Sequence, residues 1–153
     1  DAIATLVELG SLVDFETKHC KTALIMAVLT SAMGSVAALC AVGANMDYET
    51  MEEKTALFWA VEQGRLDSLA ALIKKGVEVD YVNAQGMTAL MHAVVLEEKD
   101  AIMDLCARGA NIHFENKTND TALTLAAKEG KLNSITALVT KCGAAVDHEN
   151  GRG

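Results

Sequence analysis

The feature that most constrains this chain is an internal repeat with a period of 33 residues. The tripeptide Thr-Ala-Leu begins at four evenly spaced positions, Thr22, Thr55, Thr88 and Thr121. Glycines recur with the same period at Gly10, Gly43, Gly76 and Gly109, and a fifth, Gly143, comes one residue late. Self-similarity at a fixed period of this length indicates a stacked array of small supersecondary units rather than one continuous globular core.

Each repeat predicts two short helices. The threonine hydroxyl can cap a helix start, and the apolar stretch after it, residues 56–61 in one copy, predicts a first helix of about two to three turns. A second apolar-periodic stretch contains Leu69 and Leu72 and ends at Gly76, which suits a left-handed C-cap. The segment between units mixes β-formers with Asn and Gly and predicts an extended, hairpin-like connection. Because helices this short are marginal in water, stacking of neighbouring units must stabilise them.

Composition favours an all-α protein and argues against several classes of partner. Apolar residues make up 51% of the chain, aromatic residues only 4%, and proline is absent, so the core is built mainly from good helix formers. The formal net charge is −8, whereas nucleic acids and anionic membranes call for clustered Lys and Arg. No apolar run approaches the roughly 20 residues of a membrane helix. We therefore predict no nucleic-acid partner and no membrane insertion.

The four cysteines, Cys20, Cys40, Cys106 and Cys142, are widely spaced and form no Cys-x-x-Cys pair. This pattern predicts reduced thiols and a cytoplasmic location, with the nucleus as an alternative. Cys40 and Cys106 occupy equivalent second-helix positions among Leu and Val, which predicts small buried hydrophobes rather than nucleophiles. No ligand with suitable spacing accompanies the His19-Cys20 pair, so no metal site is predicted.

The repeat resembles the ankyrin repeat across the whole chain. Residues 83–94, Asn-Ala-Gln-Gly-Met-Thr-Ala-Leu-Met-His-Ala-Val, are similar to the family pattern Asp-x-x-Gly-x-Thr-Pro-Leu-His-x-Ala-Ala. The resemblance implies an all-α ankyrin-repeat solenoid of stacked helix-turn-helix units with short β-hairpin-like loops. The family's proline is alanine in all four copies, and its histidine is replaced by Ile25, Phe58, Met91 and Thr124. Apolar packing between successive first helices is expected to replace the polar network of that histidine.

In this register the chain contains four full repeats, residues 14–46, 47–79, 80–112 and 113–146. Residues 1–13 correspond to the second helix of an earlier repeat, and residues 147–153 correspond to the start of a further one. The chain is accordingly expected to be a section of a longer array.

The resemblance also implies that a partner protein binds on the concave side of the array, through the exposed face of the first helices and the tips of the connecting loops. Spacing of i, i+3 and i+4 places the helix positions of each repeat on one face. The helix positions are Met26, Leu29, Trp59, Glu62, His92, Val95, Leu96, Leu125 and Lys128. The tip positions are Lys18, His19, Met51, Lys54, Gln85, Met87, Lys117 and Asp120.

Five of the six aromatic residues form one candidate anchor and one column. Trp59 is the only tryptophan, and tryptophan is enriched at binding hot spots, so it is the candidate anchor for a partner. Packing of Trp59 against neighbouring helices is the alternative interpretation. The remaining pattern, Phe15, Tyr48, Tyr81 and Phe114 continued by His148, has the repeat period and predicts a stacked structural ladder.

The sequence contains no nucleophile elbow, zinc-protease motif, phosphate-binding loop or dinucleotide fingerprint. We therefore expect a monomeric, non-enzymatic scaffold or adaptor that binds a protein and needs no cofactor. The first alternative is a regulatory or targeting arm of a larger enzyme such as a kinase. The second is a small-molecule site near Trp59 and His92, which the open geometry of a solenoid disfavours.

Overall fold

The structure, a computed structural model, describes residues 13–18 and 21–146. These residues form eight α-helices and no strand, which confirms the predicted all-α class. The helices follow one another in pairs: α1 (Ala23–Leu29) and α2 (Met33–Ala41), α3 (Ala56–Glu62) and α4 (Leu66–Lys74), α5 (Ala89–Leu96) and α6 (Lys99–Ala107), α7 (Ala122–Lys128) and α8 (Leu132–Thr140). The two predicted partial repeats, apart from residue 13, lie outside the described residues. His19, Cys20 and His148 lie outside them as well.

The recurring threonine begins the first helix of every pair. The side-chain oxygens of Thr22, Thr88 and Thr121 accept the backbone N–H three residues later, at 3.4, 3.3 and 3.2 Å respectively. Thr55 has the same extended backbone but makes no side-chain cap bond. The Thr124 hydroxyl accepts the N–H of Thr121 at 2.8 Å, which completes a capping box. The threonine column therefore fixes where these helices start.

One residue in the left-handed conformation joins the two helices of each pair. Four residues with the repeat period occupy this position, Ser31, Gly64, Glu97 and Gly130, with φ of 54°, 59°, 58° and 67°. The residue after each one donates its N–H to the carbonyl of a buried alanine in the preceding first helix, at 2.8–3.0 Å. The turn is thus the same in all four pairs, although a side chain in this conformation costs about 1–2 kcal/mol where glycine is absent.

The chain divides into two compact units, Asp1–Glu78 and Val79–Gly153. In the first unit, α1 packs on α2 and α3, and α4 packs on α2 and α3. In the second unit, α5 packs on α6 and α7, and α8 packs on α6 and α7. Within each unit first helices therefore lie beside first helices, and second helices beside second helices. This is the packing that a stacked repeat array requires.

Three apolar side chains fill the position of the family's histidine. Ile25, Phe58 and Met91 are each 1% exposed or less, so they belong to the cores of their units. The fourth residue in this column, Thr124, is half-buried and forms the capping box described above. Apolar packing thus replaces the polar position in three repeats, and a local hydrogen-bonded cap replaces it in the fourth.

The predicted aromatic ladder fits the burial of three of its described members. Tyr48, Tyr81 and Phe114 are half-buried. Phe15, in contrast, is 70% exposed. Stacking of the rings along the array remains a prediction, and the exposure of Phe15 differs from what the column suggests.

The cysteines differ from their predicted reduced state. Cys106 on α6 and Cys142, just after α8, form a disulfide with a Cα–Cα distance of 5.6 Å. The prediction of unpaired thiols is therefore wrong for these two residues. Cys40, which stands in the same repeat column as Cys106, is a free, half-buried thiol, and burial raises its pKa. The difference arises from the single residue inserted before Gly143, because that insertion supplies Cys142 at a point where the other repeats have no equivalent residue.

Candidate partner-binding surface

The connecting loops form tight tips of five residues, each closed by a backbone hydrogen bond. The N–H of the first residue donates to the carbonyl of the fifth in residues 17–21, 50–54, 83–87 and 116–120, at 2.9–3.1 Å. The side-chain oxygens of Asn83 and Asn116 also accept the N–H of Met87 and Asp120, both at 2.9 Å. These Asx-type bonds stabilise the turn without a β-ladder. The predicted hairpin-like loop is therefore a turn and not a pair of strands.

The fourth residue of the tip turns the chain back towards the first helix. Glu53, Gly86 and Asn119 occupy this position with φ of 57°, 81° and 60°. The tip residues before it, among them Lys18, Met51, Gln85 and Lys117, are exposed. The fifth residue lies closer to the helix, because Lys54 and Met87 are half-buried and Asp120 is buried. Exposure at the tip therefore belongs to the second and third residues, whereas Asp120 is buried, and its role in partner binding stays a prediction.

The predicted first-helix positions differ in exposure. Met26 and Leu96 are each 41% exposed, and Lys128 is also exposed. The remaining positions apart from Trp59 are half-buried: Leu29, Glu62, His92, Val95 and Leu125. Trp59 is only 6% exposed. This burial fits the packing alternative, and a role of Trp59 as a partner anchor stays a prediction.

Two lysines from neighbouring tips cover Trp59. The Nζ atoms of Lys21 and Lys54 lie 4.4 and 4.7 Å from the centroid of the indole ring, within cation–π distance. Glu52 lies 3.5 Å from both ammonium groups through its two carboxylate oxygens. Lys54 also pairs with Glu62 on α3 at 2.6 Å. The first unit therefore carries a compact cluster of two cations and two carboxylates around one aromatic ring, which we call the Trp59 cluster.

Lys21 and Glu52 lie at loop-tip positions that the repeat register marks as possible partner contacts, but the sequence did not predict that they gather around Trp59. Lys21 and Lys54 occupy the same repeat column, 33 residues apart, and the stacking of adjacent repeats brings equivalent tip residues together. That spacing was a usable signal. The placement of Glu52 between the two lysines could not be read from it, because Glu52 belongs to a different column.

A pairing between the tip and the first helix recurs in the second unit with its charges reversed. Asp120 and Lys128 occupy the columns of Lys54 and Glu62, and they pair at 2.5 Å. In the intervening repeat the same two columns hold Met87 and Val95, both uncharged and half-buried. In these two repeats the residue eight positions after the end of the tip is therefore its neighbour on the first helix. The charges in the two columns change from repeat to repeat.

Other types of site find little support in the described part of the chain. Two open grooves, of about 530 and 360 Å³, lie in the second unit along α7–α8 and beside the disulfide. Neither is lined by Trp59 or His92, so they give no support to a small-molecule site there. Among residues 13–18 and 21–146, no three His, Cys, Asp or Glu side chains are grouped to hold a metal ion. None of the helices described is long and apolar enough to cross a membrane.

Comparison with known proteins identifies the repeat. A family model described as ankyrin repeats (many copies) matches residues 57–98, which run from α3 to the turn between α5 and α6. No curated protein matches the chain. The matched segment includes the most regular copy of the sequence pattern, and the same paired helices recur on either side of it. The match therefore supports the predicted resemblance to the ankyrin-repeat family.

Proposed function

We propose that this chain is a protein-recognition scaffold whose partner binds on the concave side, across the first helices and the loop tips. The observation that carries the proposal is the exposure of large apolar side chains at these positions. Met26 and Leu96 are each 41% exposed on short first helices, and Met51 is 80% exposed at a tip. Exposed apolar groups beside polar ones, such as Met26 and Met51 in the first unit and Leu96 in the second, are typical of interaction surfaces. Ankyrin repeats generally mediate protein–protein interaction, which agrees with this assignment.

Preorganisation is the proposed mechanism of binding. The backbone bonds that close the tips, the Lys54–Glu62 pair and the Asp120–Lys128 pair hold this surface before any partner arrives. A partner that docks on a prearranged surface loses less conformational entropy than one that must order loops. Apolar contacts then supply affinity, and the charges that vary between repeats select the partner.

The module is proposed to act without catalysis and as a monomer. If it serves as a regulatory arm of a larger enzyme, the same surface would hold the partner. A cytoplasmic location is not part of the proposal, because it was expected from reduced thiols, and the Cys106–Cys142 disulfide is more typical of oxidising compartments.

The test is affinity capture from a lysate of the source organism with a Met26→Glu, Leu96→Glu double variant. A matched control, Met103→Glu, Leu132→Glu, places the same charges on exposed apolar residues of the second helices α6 and α8. Circular dichroism verifies that both variants are helical. Partners that bind the wild type and the control but not the first variant support the proposal. Equal capture by all three proteins contradicts it.

A further inference from the structure

We propose that the Trp59 cluster is a carboxylate-binding site, and that it takes an aspartate or glutamate side chain of the partner protein. The inference rests on the proposed function and names the chemistry of one contact within it. Its ligand is an acidic residue next to an apolar one, presented by an exposed segment of the partner.

Two cations are already held in place for such a ligand. Lys21 and Lys54 come from neighbouring tips, and their side chains are only 16% and 20% exposed. The indole of Trp59 lies under both ammonium groups, which limits their freedom before binding. Lysines fixed in this way lose little side-chain entropy when they pair with an incoming anion.

Glu52 shows that a carboxylate fits between the lysines. Its two oxygens lie 3.5 Å from Lys21 and Lys54, longer than the 2.7–2.9 Å of a well-formed charge-assisted bond. Its side chain is 51% exposed, and it stands next to Glu53, a non-glycine residue with φ of 57°. Glu52 is therefore a weakly held internal occupant, and a partner's carboxylate can replace it.

Charge and shape around the cluster favour an acid flanked by an apolar group. The Glu62 carboxylate stays on Lys54 at 2.6 Å, so release of Glu52 leaves two ammonium groups and one carboxylate, a net charge of +1. Lys18, in the same tip as Lys21, is exposed and adds positive charge, while Glu53, next to Glu52, adds negative charge. Met51, adjacent to Glu52, and Met26, on the preceding first helix, offer exposed apolar surface in the same unit.

The test uses the full chain and three displayed libraries of short peptides, identical except that the central residue is fixed as Glu, Gln or Lys. The wild type is expected to recover the Glu library about tenfold better than the Gln library, the size of effect that one hydrogen-bonded charge contributes. Glu52→Gln, which removes the internal competitor, should increase this ratio. A Lys21→Gln, Lys54→Gln variant should reduce the ratio to about one. Lys99→Gln, at an exposed position on α6 in the other unit, should leave it unchanged.

Fluorescence of Trp59 during titration with the recovered Glu peptides provides the second readout. Trp59 is the only tryptophan, so its emission reports directly on the cluster, and it should change when a Glu peptide binds. Equal recovery of the Glu and Gln libraries, or acid preference that survives loss of both lysines, would overturn the inference. Neither result would affect the capture experiment with Met26 and Leu96, so failure of this contact is distinguishable from failure of the scaffold proposal.

Discussion

Removal of the Cys106–Cys142 disulfide should destabilise the second unit more than any other change to a cysteine. The two residues are 36 positions apart, and the chain-entropy relation for a loop of this length gives about 4 kcal/mol of stabilisation at 25 °C. Cys142→Ser should therefore lower the free energy of unfolding by up to this amount. The loss should be greatest in α8, because the crosslink ties the chain just after that helix to α6.

The assay is urea denaturation combined with amide hydrogen exchange of residues 132–140, with and without a dithiol reductant. Reductant should weaken the wild type to the level of Cys142→Ser and leave that variant unchanged. Cys40→Ser is the matched control, since Cys40 occupies the column of Cys106 but forms no disulfide; its effect should stay below about 1 kcal/mol. Alkylation of the folded, unreduced protein followed by mass spectrometry should leave Cys106 and Cys142 unmodified. Labelling of both, together with no effect of reductant, would refute the reasoning.

Three further predictions concern backbone strain, charge and core packing. Glu97→Gly should raise the free energy of unfolding by about 0.5–1 kcal/mol in urea denaturation, because it relieves a left-handed φ of 58°. Gly64→Ser, at the equivalent turn, should lower the free energy of unfolding by a similar amount. Changes of the opposite sign would contradict the turn analysis. Burial, and to a smaller degree the charge of Glu78, raises the pKa of Asp47. The folded state therefore holds a proton on Asp47 more readily than the unfolded chain does, and the free energy of unfolding falls as pH rises through the raised pKa. Glu78→Gln should therefore stabilise by about 0.5 kcal/mol near pH 7 but not near pH 3, and an equal gain at both pH values in urea titrations would argue against the repulsion. Trp59→Ala should cost about 3–5 kcal/mol, seen as a large fall in melting temperature; a small fall would mean that the ring is not part of the core.

The positions of the helices could be predicted from sequence because their determinants are local and repeat. The threonine at each first-helix start and the glycine after each second helix recur with one period, and the structure begins all four first helices directly after that threonine. Even the two turns that lack glycine, at Ser31 and Glu97, keep the left-handed backbone. Stacking against neighbouring repeats thus imposes the same turn where the local residue disfavours it.

The burial of Trp59 could not be predicted from its own helix. Its position on the first-helix face is equivalent to that of the exposed Met26, so periodicity alone places it at the surface. The side chains of Lys21 and Lys54 cover the indole, and these two tip residues come 38 and 5 residues before Trp59 in the chain. Long flexible side chains can adopt many rotamers. Which rotamer places a lysine over the indole depends on the cation–π contact and on the nearby carboxylates.

The disulfide was missed for a different reason. Cys142 belongs to the one-residue insertion before Gly143, and the repeat register gives no position for an inserted residue. Whether it reaches Cys106 depends on how the chain leaves α8. Cys40, which keeps the same column as Cys106 but has no such neighbour, shows that the column itself does not specify a crosslink.

Site-specific photocrosslinking would test the central claim, partner binding on the first helices and tips, most directly. A photoreactive amino acid is placed at Met51 or Lys117 on the tips, or at Leu132 at the start of α8, all of them exposed positions. Leu132 is the matched control for Met51, since the two residues are 73% and 80% exposed. The account predicts that a partner from a lysate of the source organism crosslinks to the tip positions and not to Leu132. Crosslinking of that partner at Leu132 alone, or equally at all three positions, would contradict it.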